Sequence, residues 1–345
     1  MKVYIFTEGG SKSGLGHIAR CFALYQAFKR QGDKPLLILQ TLTKGESPHV
    51  FAQMLVEIDP VFCDWRKSPH GCIEKIEADD IVVIDSYLAE NTVYESMASQ
   101  AGLLVSLDDL SRITYPPGII LNGALKADEL PYLQTENRKY MLGLSYALIG
   151  DSFQILGRKE IRPQVRQLML TVGGSDPHNI TTRLIRYFQN VFPQLELHII
   201  IGPNFSHQTE IARLKGGQTV IYDNPAPKAM VRIMEEADIA ITAGGQTLLE
   251  LAAVGTPALV MALADNQIGN IQGMERAGTS RFVGWYNEPD FLEQIKNGIL
   301  SLKEQSVRHA MSERGRALVD GQGACRAARE ISDYFLRRQA YEWRT

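Results

Sequence analysis

Glycines and a histidine crowd into residues 9–17, which read Gly9-Gly10-Ser11-Lys12-Ser13-Gly14-Leu15-Gly16-His17. The apolar run Val3-Tyr4-Ile5-Phe6 before them predicts a buried strand, and residues 18–28 after them predict a helix. Strand, glycine turn and helix together form an anion-binding geometry, because the backbone amides at a helix start carry partial positive charge. His17 falls where that helix begins, and an imidazole beside an anion site suits proton transfer. The same spacing serves equally as a plain tight turn with His17 as a hydrogen-bonding group at the helix start.

A second glycine turn, Ala243-Gly244-Gly245-Gln246-Thr247, follows the apolar run Ile239-Ala240-Ile241-Thr242 and opens onto the apolar helix Leu248-Leu249-Glu250-Leu251. Its helix-start amides suit a diphosphate. Glu250 has two readings. Thr247 and Glu250 have capping-box spacing, and a carboxylate near such a turn also suits ribose hydroxyls. A third turn, Gly173-Gly174-Ser175-Asp176-Pro177, joins another strand to a helix. Asp265-Asn266-Gln267 lies just past the strand at 258–261, where side chains face a ligand or cap a helix.

Two acidic sites close the inventory. Asp85-Ser86-Tyr87 ends the strand at 81–85, so Asp85 is placed to orient an imidazole and Tyr87 to hold a water, or the three make a turn with a packed tyrosine. Asp108-Asp109 ends the next strand. Two neighbouring acids suggest a divalent cation, but a helix cap is the simpler role, since no further carboxylate and histidine have ligand spacing. No metal is expected.

These groups are positioned by alternating strands and helices. Strands are predicted at 3–6, 35–40, 81–85, 103–108 and 119–122, with amphipathic segments at 18–31 and 92–101. Uniformly apolar strands such as Ile81-Val82-Val83-Ile84 fit a parallel sheet covered on both faces. The charged, proline-containing stretch 157–167 reads as an interdomain linker. A second series follows, with strands at 168–172, 197–201, 219–222, 239–242 and 258–261 and a helical C-terminal stretch at 308–338 interrupted at Gly321 and Gly323. The prediction is an α/β chain of two doubly wound domains, 1–157 and 158–345. The second carries the C-terminal helices, and ligands enter at the carboxyl ends of the strands in the cleft between the two.

Bulk properties narrow the class. The 345 residues carry 45% hydrophobic and 22% charged side chains with a net charge of −3, so nothing points to nucleic acid as a partner. No apolar run reaches membrane-spanning length, and the N-terminus is interrupted too soon for a signal peptide. Cys21, Cys63, Cys72 and Cys325 form no CxxC pair, which predicts reduced thiols in a cytoplasm.

In combination the motifs resemble the nucleotide-sugar hydrolases of the pseudaminic acid pathway and the related spore-coat polysaccharide biosynthesis proteins. The likeness runs through Gly14-Leu15-Gly16-His17-Ile18-Ala19-Arg20, Val82-Val83-Ile84-Asp85-Ser86-Tyr87, Leu107-Asp108-Asp109 and Tyr146-Ala147-Leu148. It continues through Gly173-Gly174-Ser175-Asp176-Pro177, Ala243-Gly244-Gly245, Leu249-Glu250-Leu251-Ala252, Gly255-Thr256-Pro257, Asn266-Gln267 and Asp320-Gly321-Gln322-Gly323. Ile149-Gly150 stands where many members have arginine, and the phosphate turn reads Gly-Gly-Gln-Thr.

The resemblance implies a GT-B architecture of two facing Rossmann-like domains, without a cofactor. It implies that UDP-2,4-diacetamido-2,4,6-trideoxy-β-L-altropyranose is hydrolysed to UDP and free sugar. His17 falls on the family's catalytic histidine, Tyr87 on its Asp-x-Tyr tyrosine and Glu250 on its nucleotide-holding glutamate. Nucleotide and substrate contacts are expected at Gly14, Gly16, Arg20, Gly173, Gly174, Ser175, Gly244, Gly245, Gln246, Thr247, Asn266 and Gln267. The second-half motifs are also similar to the glycosyltransferases that add N-acetylglucosamine to the peptidoglycan lipid precursor. That keeps a transferase, and beyond it a non-catalytic nucleotide-sugar-binding protein, as alternatives.

Overall fold

The computed structural model describes residues 1–9, 15–41, 58–68, 71, 76–135 and 137–342. The chain divides into two compact units, Met1–Asp151 with Gly321–Thr345, and Ser152–Asp320.

The first unit is built on seven parallel strands in the order β3-β2-β1-β4-β5-β6-β7. They are β1 (Lys2–Thr7), β2 (Lys34–Gln40), β3 (Val61–Cys63), β4 (Ile81–Asp85), β5 (Leu103–Leu107), β6 (Gly118–Asn122) and β7 (Arg138–Leu142). Alternate residues of β1 feed opposite faces, as the two-residue period of a strand requires. Val3 and Ile5 pack with Ile18, Leu24 and Phe28 of α1 (Gly16–Arg30), while Tyr4 and Phe6 pack with Trp65, Tyr94 and Met97. Both faces are covered, which is why these strands carry so few polar residues. The sequence does not reveal the edge strands β3 and β7: β3 has only three residues, and β7 opens on Arg138-Lys139.

The second unit repeats the plan with six parallel strands in the order β10-β9-β8-β11-β12-β13. They are β8 (Gln167–Thr171), β9 (Glu196–Ile201), β10 (Thr219–Asp223), β11 (Ile239–Ala243), β12 (Ala258–Ala262) and β13 (Ser280–Trp285). Each sheet reverses its strand order beside its first strand, between β1 and β4 and between β8 and β11. A crevice opens at such a point because the flanking connections leave to opposite faces.

Three sequence expectations change. The final helix, Gly323–Glu342, packs on the first unit rather than the second: Ala324, Ala327, Ala328, Ile331 and Phe335 are buried in the same core as Val3, Ile5 and Phe28. Gly323 starts it where an added Cβ would lie 2.2 Å from the carbonyl oxygen of Ala147, so only glycine allows this approach. Tyr146 of the Tyr-Ala-Leu motif donates to Glu330 at 3.0 Å and holds the helix from the other side. Helical pattern reports an apolar face but not which sheet receives it. Replacing Ile331 by Ala is expected to cost the first unit about 2–5 kcal/mol. Hydrogen exchange should detect the loss in the amides of β1 and β4 and leave those of β8 and β11 unchanged.

The charged stretch 157–167 is anchored in the second unit rather than a free linker. The buried Lys159 ammonium donates to the carbonyls of Met234, Glu235 and Ala237 at 2.6–3.0 Å, and Arg162 pairs with Asp238 at 3.2 Å. These interactions satisfy carbonyls at the end of the helix Pro227–Glu236, which have no partner within the helix. Cys63 is disulfide-bonded, while Cys21 and Cys325 are free, so the expectation of four reduced thiols does not hold. Bonding needs two Cβ atoms about 4 Å apart in space, which CxxC spacing does not decide. Among the described residues no helix is long and apolar enough to cross a membrane.

Candidate active site

The polar groups of the first unit converge at the carboxyl ends of β1, β4 and β5. His17 is the second residue of α1, whose N-terminal turn has no side-chain cap. Gly14 and the rest of residues 10–14 lie outside the described residues; Gly16 is the first residue of α1. β4 pairs with β1 so that Asp85 stands opposite Thr7, one strand along from the turn that carries His17.

Asp85 is fully buried and accepts from everything around it. Its Oδ1 lies 2.6 Å from His17 Nδ1 and 2.6 Å from Arg20 Nη2, and its Oδ2 lies 2.7 Å from Arg20 Nε. The Cys21 thiol adds a longer contact at 3.4 Å. Burial pushes the Asp85 carboxyl up, but the Arg20 charge, then His17, and the hydrogen bonds of both pull it further down, well below the ordinary carboxylate range. A charged carboxylate at Nδ1 requires the proton of a neutral imidazole to sit there. Arg20 Nη2, 3.2 Å from that nitrogen, has no lone pair to offer, so both groups point their hydrogens at Asp85. Nε2 is left with its lone pair and makes no hydrogen bond among the described residues.

Arg20 spans two carboxylates. Its Nη1 donates to both oxygens of Asp109 at 2.7 and 2.8 Å. Burial alone would lower the guanidinium, yet Asp109 and then Asp85 hold it well above its ordinary value. Arg20 thereby links the two carboxylates, Asp85 and Asp109. Tyr87 stands edge-on to His17, ring centroids 4.3 Å apart and planes at 85°, and its hydroxyl donates to Asp109 Oδ2 at 2.5 Å. Burial and then Asp109 push the Tyr87 hydroxyl well above the usual phenol range. Its backbone amide donates to the buried Glu8 at 3.0 Å, which in turn accepts from Arg66 at 3.2 Å.

Asp109 and Glu8 escape the sequence reading. Asp109 looks like half of a capping pair with Asp108, yet no helix follows β5. Asp108 instead accepts the backbone amide of Ser111 and the hydroxyls of Tyr115 and Tyr132, each at 2.6 Å, and ties down the turn. The only available signal is position: an acid one residue (Glu8) or two residues (Asp109) past a buried parallel strand.

The second unit gathers its turns at its own reversal point. Gly173 takes a φ of +96° after β8, and the following Asp176 carboxylate accepts the amides of Ile180 and Thr181 at 2.9 and 2.8 Å, opening the helix Ile180–Val191. Ser175 is part-exposed on this turn. Gly245 caps the helix Gln246–Val254 without a side-chain hydrogen bond, and the first amides of a helix lack intrahelical acceptors. A Cβ on Gly244 would lie 2.3 Å from Ile271 Cγ1, and the Gly244 carbonyl accepts from Asn270 Nδ2 at 2.9 Å, so the turn is pressed onto the next helix. Asn266 is exposed, whereas Gln267 turns back to accept the amide of Leu263 at 3.0 Å.

The Thr247–Glu250 capping box does not form, because the cap is Gly245 and Thr247 lies inside the helix. Glu250 has no hydrogen-bond partner among the described residues, and burial raises its carboxyl to about 7. Part of the residue remains exposed, so solvent screening moderates the cost. Between about 4.5 and 7 the folded chain keeps a proton that the unfolded chain has lost, so stability falls as pH rises through that window and the full cost stands above it. Glu250→Gln is therefore expected to stabilise the protein by about 1–3 kcal/mol at pH 8 and to change nothing near pH 4, read from thermal melts at both.

Two parallel α/β units, each with its sheet reversing beside its first strand, have the architecture of the GT-B class of fold. Solved structures agree. The MurG of Acinetobacter baumannii aligns with TM-score 0.63 at 13% identity, covering 96% of this chain and 100% of that one. The S. aureus MnaA–UDP co-structure aligns with TM-score 0.67 at 12% identity, covering 96% of each. Residues 168–322 match the glycosyltransferase family 28 C-terminal domain.

Two curated relatives bear out the family resemblance carried by the motifs. One is the spore coat polysaccharide biosynthesis protein SpsG of Bacillus subtilis, 22% identical over 97% of this chain and 99% of its own length. The other is the pseudaminic acid cytidylyltransferase and UDP-2,4-diacetamido-2,4,6-trideoxy-beta-L-altropyranose hydrolase of Helicobacter pylori, 25% identical over 81% of this chain. The uncharacterized protein MJ1062 of Methanocaldococcus jannaschii is 22% identical over 76% of this chain. The chain spans about half the length of these last two, 47% and 55%.

Proposed function

We propose that the protein is a UDP-sugar hydrolase that releases UDP and a free diacetamido-trideoxy sugar, in nonulosonic acid or surface polysaccharide biosynthesis. The observation that carries the reading is the 2.6 Å contact of His17 Nδ1 with the charged Asp85, which directs the basic lone pair to Nε2 at the reversal point of the first sheet. In the proposed step Nε2 takes a proton from water as its oxygen bonds to the anomeric carbon. The bond from that carbon to the diphosphate oxygen breaks, and its electron pair leaves with UDP. A single displacement inverts the anomeric centre.

UDP is assigned to the second unit. The amides at Gly245, Gln246 and Thr247 and those of the Gly173–Ser175 turn receive the diphosphate. Glu250 receives the ribose hydroxyls, which would supply the donors its carboxylate lacks. The substrate class is taken from the H. pylori relative's name, and the SpsG likeness over nearly the full chain supports the same family.

A GT-B glycosyltransferase is the second reading, favoured by the match of 168–322 to the family 28 domain. Incubation with a panel of UDP- and CMP-linked diacetamido sugars and no acceptor separates the two. The hydrolase reading expects UDP release at enzymatic rates from a UDP-linked member. Release that begins only when a sugar or lipid acceptor is added would establish the transferase, and tight UDP binding with no turnover in either case would leave a binding protein.

A further inference from the structure

Asp109 has no part in the roles assigned so far, yet it receives the shortest hydrogen bond in the cluster. Its Oδ2 accepts the Tyr87 hydroxyl at 2.5 Å while both its oxygens hold Arg20 Nη1. A phenol has one hydrogen. Once that hydrogen is committed to Asp109, the Tyr87 oxygen can act only as an acceptor toward anything else. The ring beside it is edge-on to His17 at 4.3 Å, so oxygen and imidazole are held in one fixed relation.

We propose that Asp109 is a positioning residue that locks Tyr87 as a hydrogen-bond acceptor for the water whose other proton goes to His17. The inference rests on the hydrolase reading. Water then has both hydrogens directed, one to Tyr87 Oη and one to His17 Nε2, and its remaining lone pair is free for the anomeric carbon. The buried Asp85 carboxylate on Nδ1 also stabilises the imidazolium that forms at His17 as the water is deprotonated. Glu8 fixes the same residue from behind through the Tyr87 amide.

Asparagine at 109 reverses the polarity. It has one acceptor oxygen, which the Arg20 guanidinium claims as the stronger donor, so its NH2 turns to Tyr87, donates to the phenol oxygen and takes up the acceptor site. Asp109→Asn and Tyr87→Phe are each expected to lower kcat for UDP release about 10- to 100-fold with KM changed less than about threefold. The double variant should lie within about threefold of the worse single, because both remove the same orientation.

The unliganded wild type should also show a low-field hydroxyl proton resonance that is absent from both single variants. A wild-type kcat for Tyr87→Phe, which leaves the Arg20–Asp109 pair intact, overturns the proposal even if Asp109→Asn fails to fold. A merely structural Asp109, holding Arg20 alone, predicts additive losses in the double variant. Additive losses in the double variant, or no such resonance in the wild type, overturn it equally. A wild type that shows the resonance but releases no UDP from any substrate refutes the hydrolase reading and the water role with it, leaving the Asp109–Tyr87 clamp standing.

Discussion

Replacing His17 by Asn should lower kcat for UDP release by about 10²–10⁴ while UDP affinity stays within about twofold. The asymmetry follows from where each task is placed. His17 stands on α1 of the first unit, and the helix-start amides assigned to UDP belong to the second. Asparagine fills much of the imidazole's volume and can still donate to Asp85, so the buried carboxylate keeps a partner. What disappears is the lone pair at Nε2. Steady-state rates and calorimetric UDP titration on the same preparation give both numbers. Retained turnover removes His17 from the role of base. A matched loss of turnover and UDP affinity would place His17 in nucleotide binding instead.

Asp85→Asn is expected to damage both activity and stability. The carboxylate is the common acceptor of His17 and Arg20. An amide offers one oxygen and two unwanted hydrogens, so one neighbour loses its acceptor. If that neighbour is His17, the imidazole is free to move its proton to Nε2 and lose the base. A loss of about 10²–10⁴ in kcat is the expected size for a general base put out of action.

Removing one charge from a buried pair costs about 3–5 kcal/mol, because the remaining charge is left without its partner. The pH dependence has a definite sign. Asp85 is held well below the carboxylate range in the folded chain, against an unfolded value of about 4. Its stabilisation is therefore complete above about pH 4 and is lost as pH falls below that toward the folded value. Denaturant melts of wild type and variant should differ by a constant amount from pH 5 to 8 and converge at lower pH. A gap that instead widens toward acid would contradict a charged Asp85.

The central elements of both sheets can be read from the sequence, and the reason is burial. A parallel strand covered on both faces must be apolar throughout, so β1, β4, β8 and β11 announce themselves, and the glycine turns and acids that follow them stand out against the apolar runs. Asp85 as orienter of His17 follows from the same logic, since a charged residue ending a buried strand needs a partner close by. Three of the four edge strands, β3, β7 and β13, are missed because they are short or interrupted by charged residues or glycine, whereas the edge strand β10 carries Thr219-Val220-Ile221-Tyr222 and is legible. The sequence places the final helix in the second unit because an amphipathic stripe fits either sheet; the close approach at Gly323, the buried stripe and the Tyr146–Glu330 bond select the first. The pairing of Asp109 with Arg20 is not legible in the sequence, because residue type tells what each can bind, but Arg20 lies on α1 and Asp109 just past β5, 89 positions apart.

The most direct test of the central claim is a single turnover of the UDP-sugar in ¹⁸O-labelled water, read by mass spectrometry of both products and by NMR of the first-formed anomer. Water attack at the anomeric carbon predicts one ¹⁸O in the free sugar, none in UDP, and an initial product of inverted anomeric configuration. Label in the UDP phosphate with none in the sugar would show attack at phosphorus, and a retained anomer would show two displacements; either result contradicts a single displacement driven by His17.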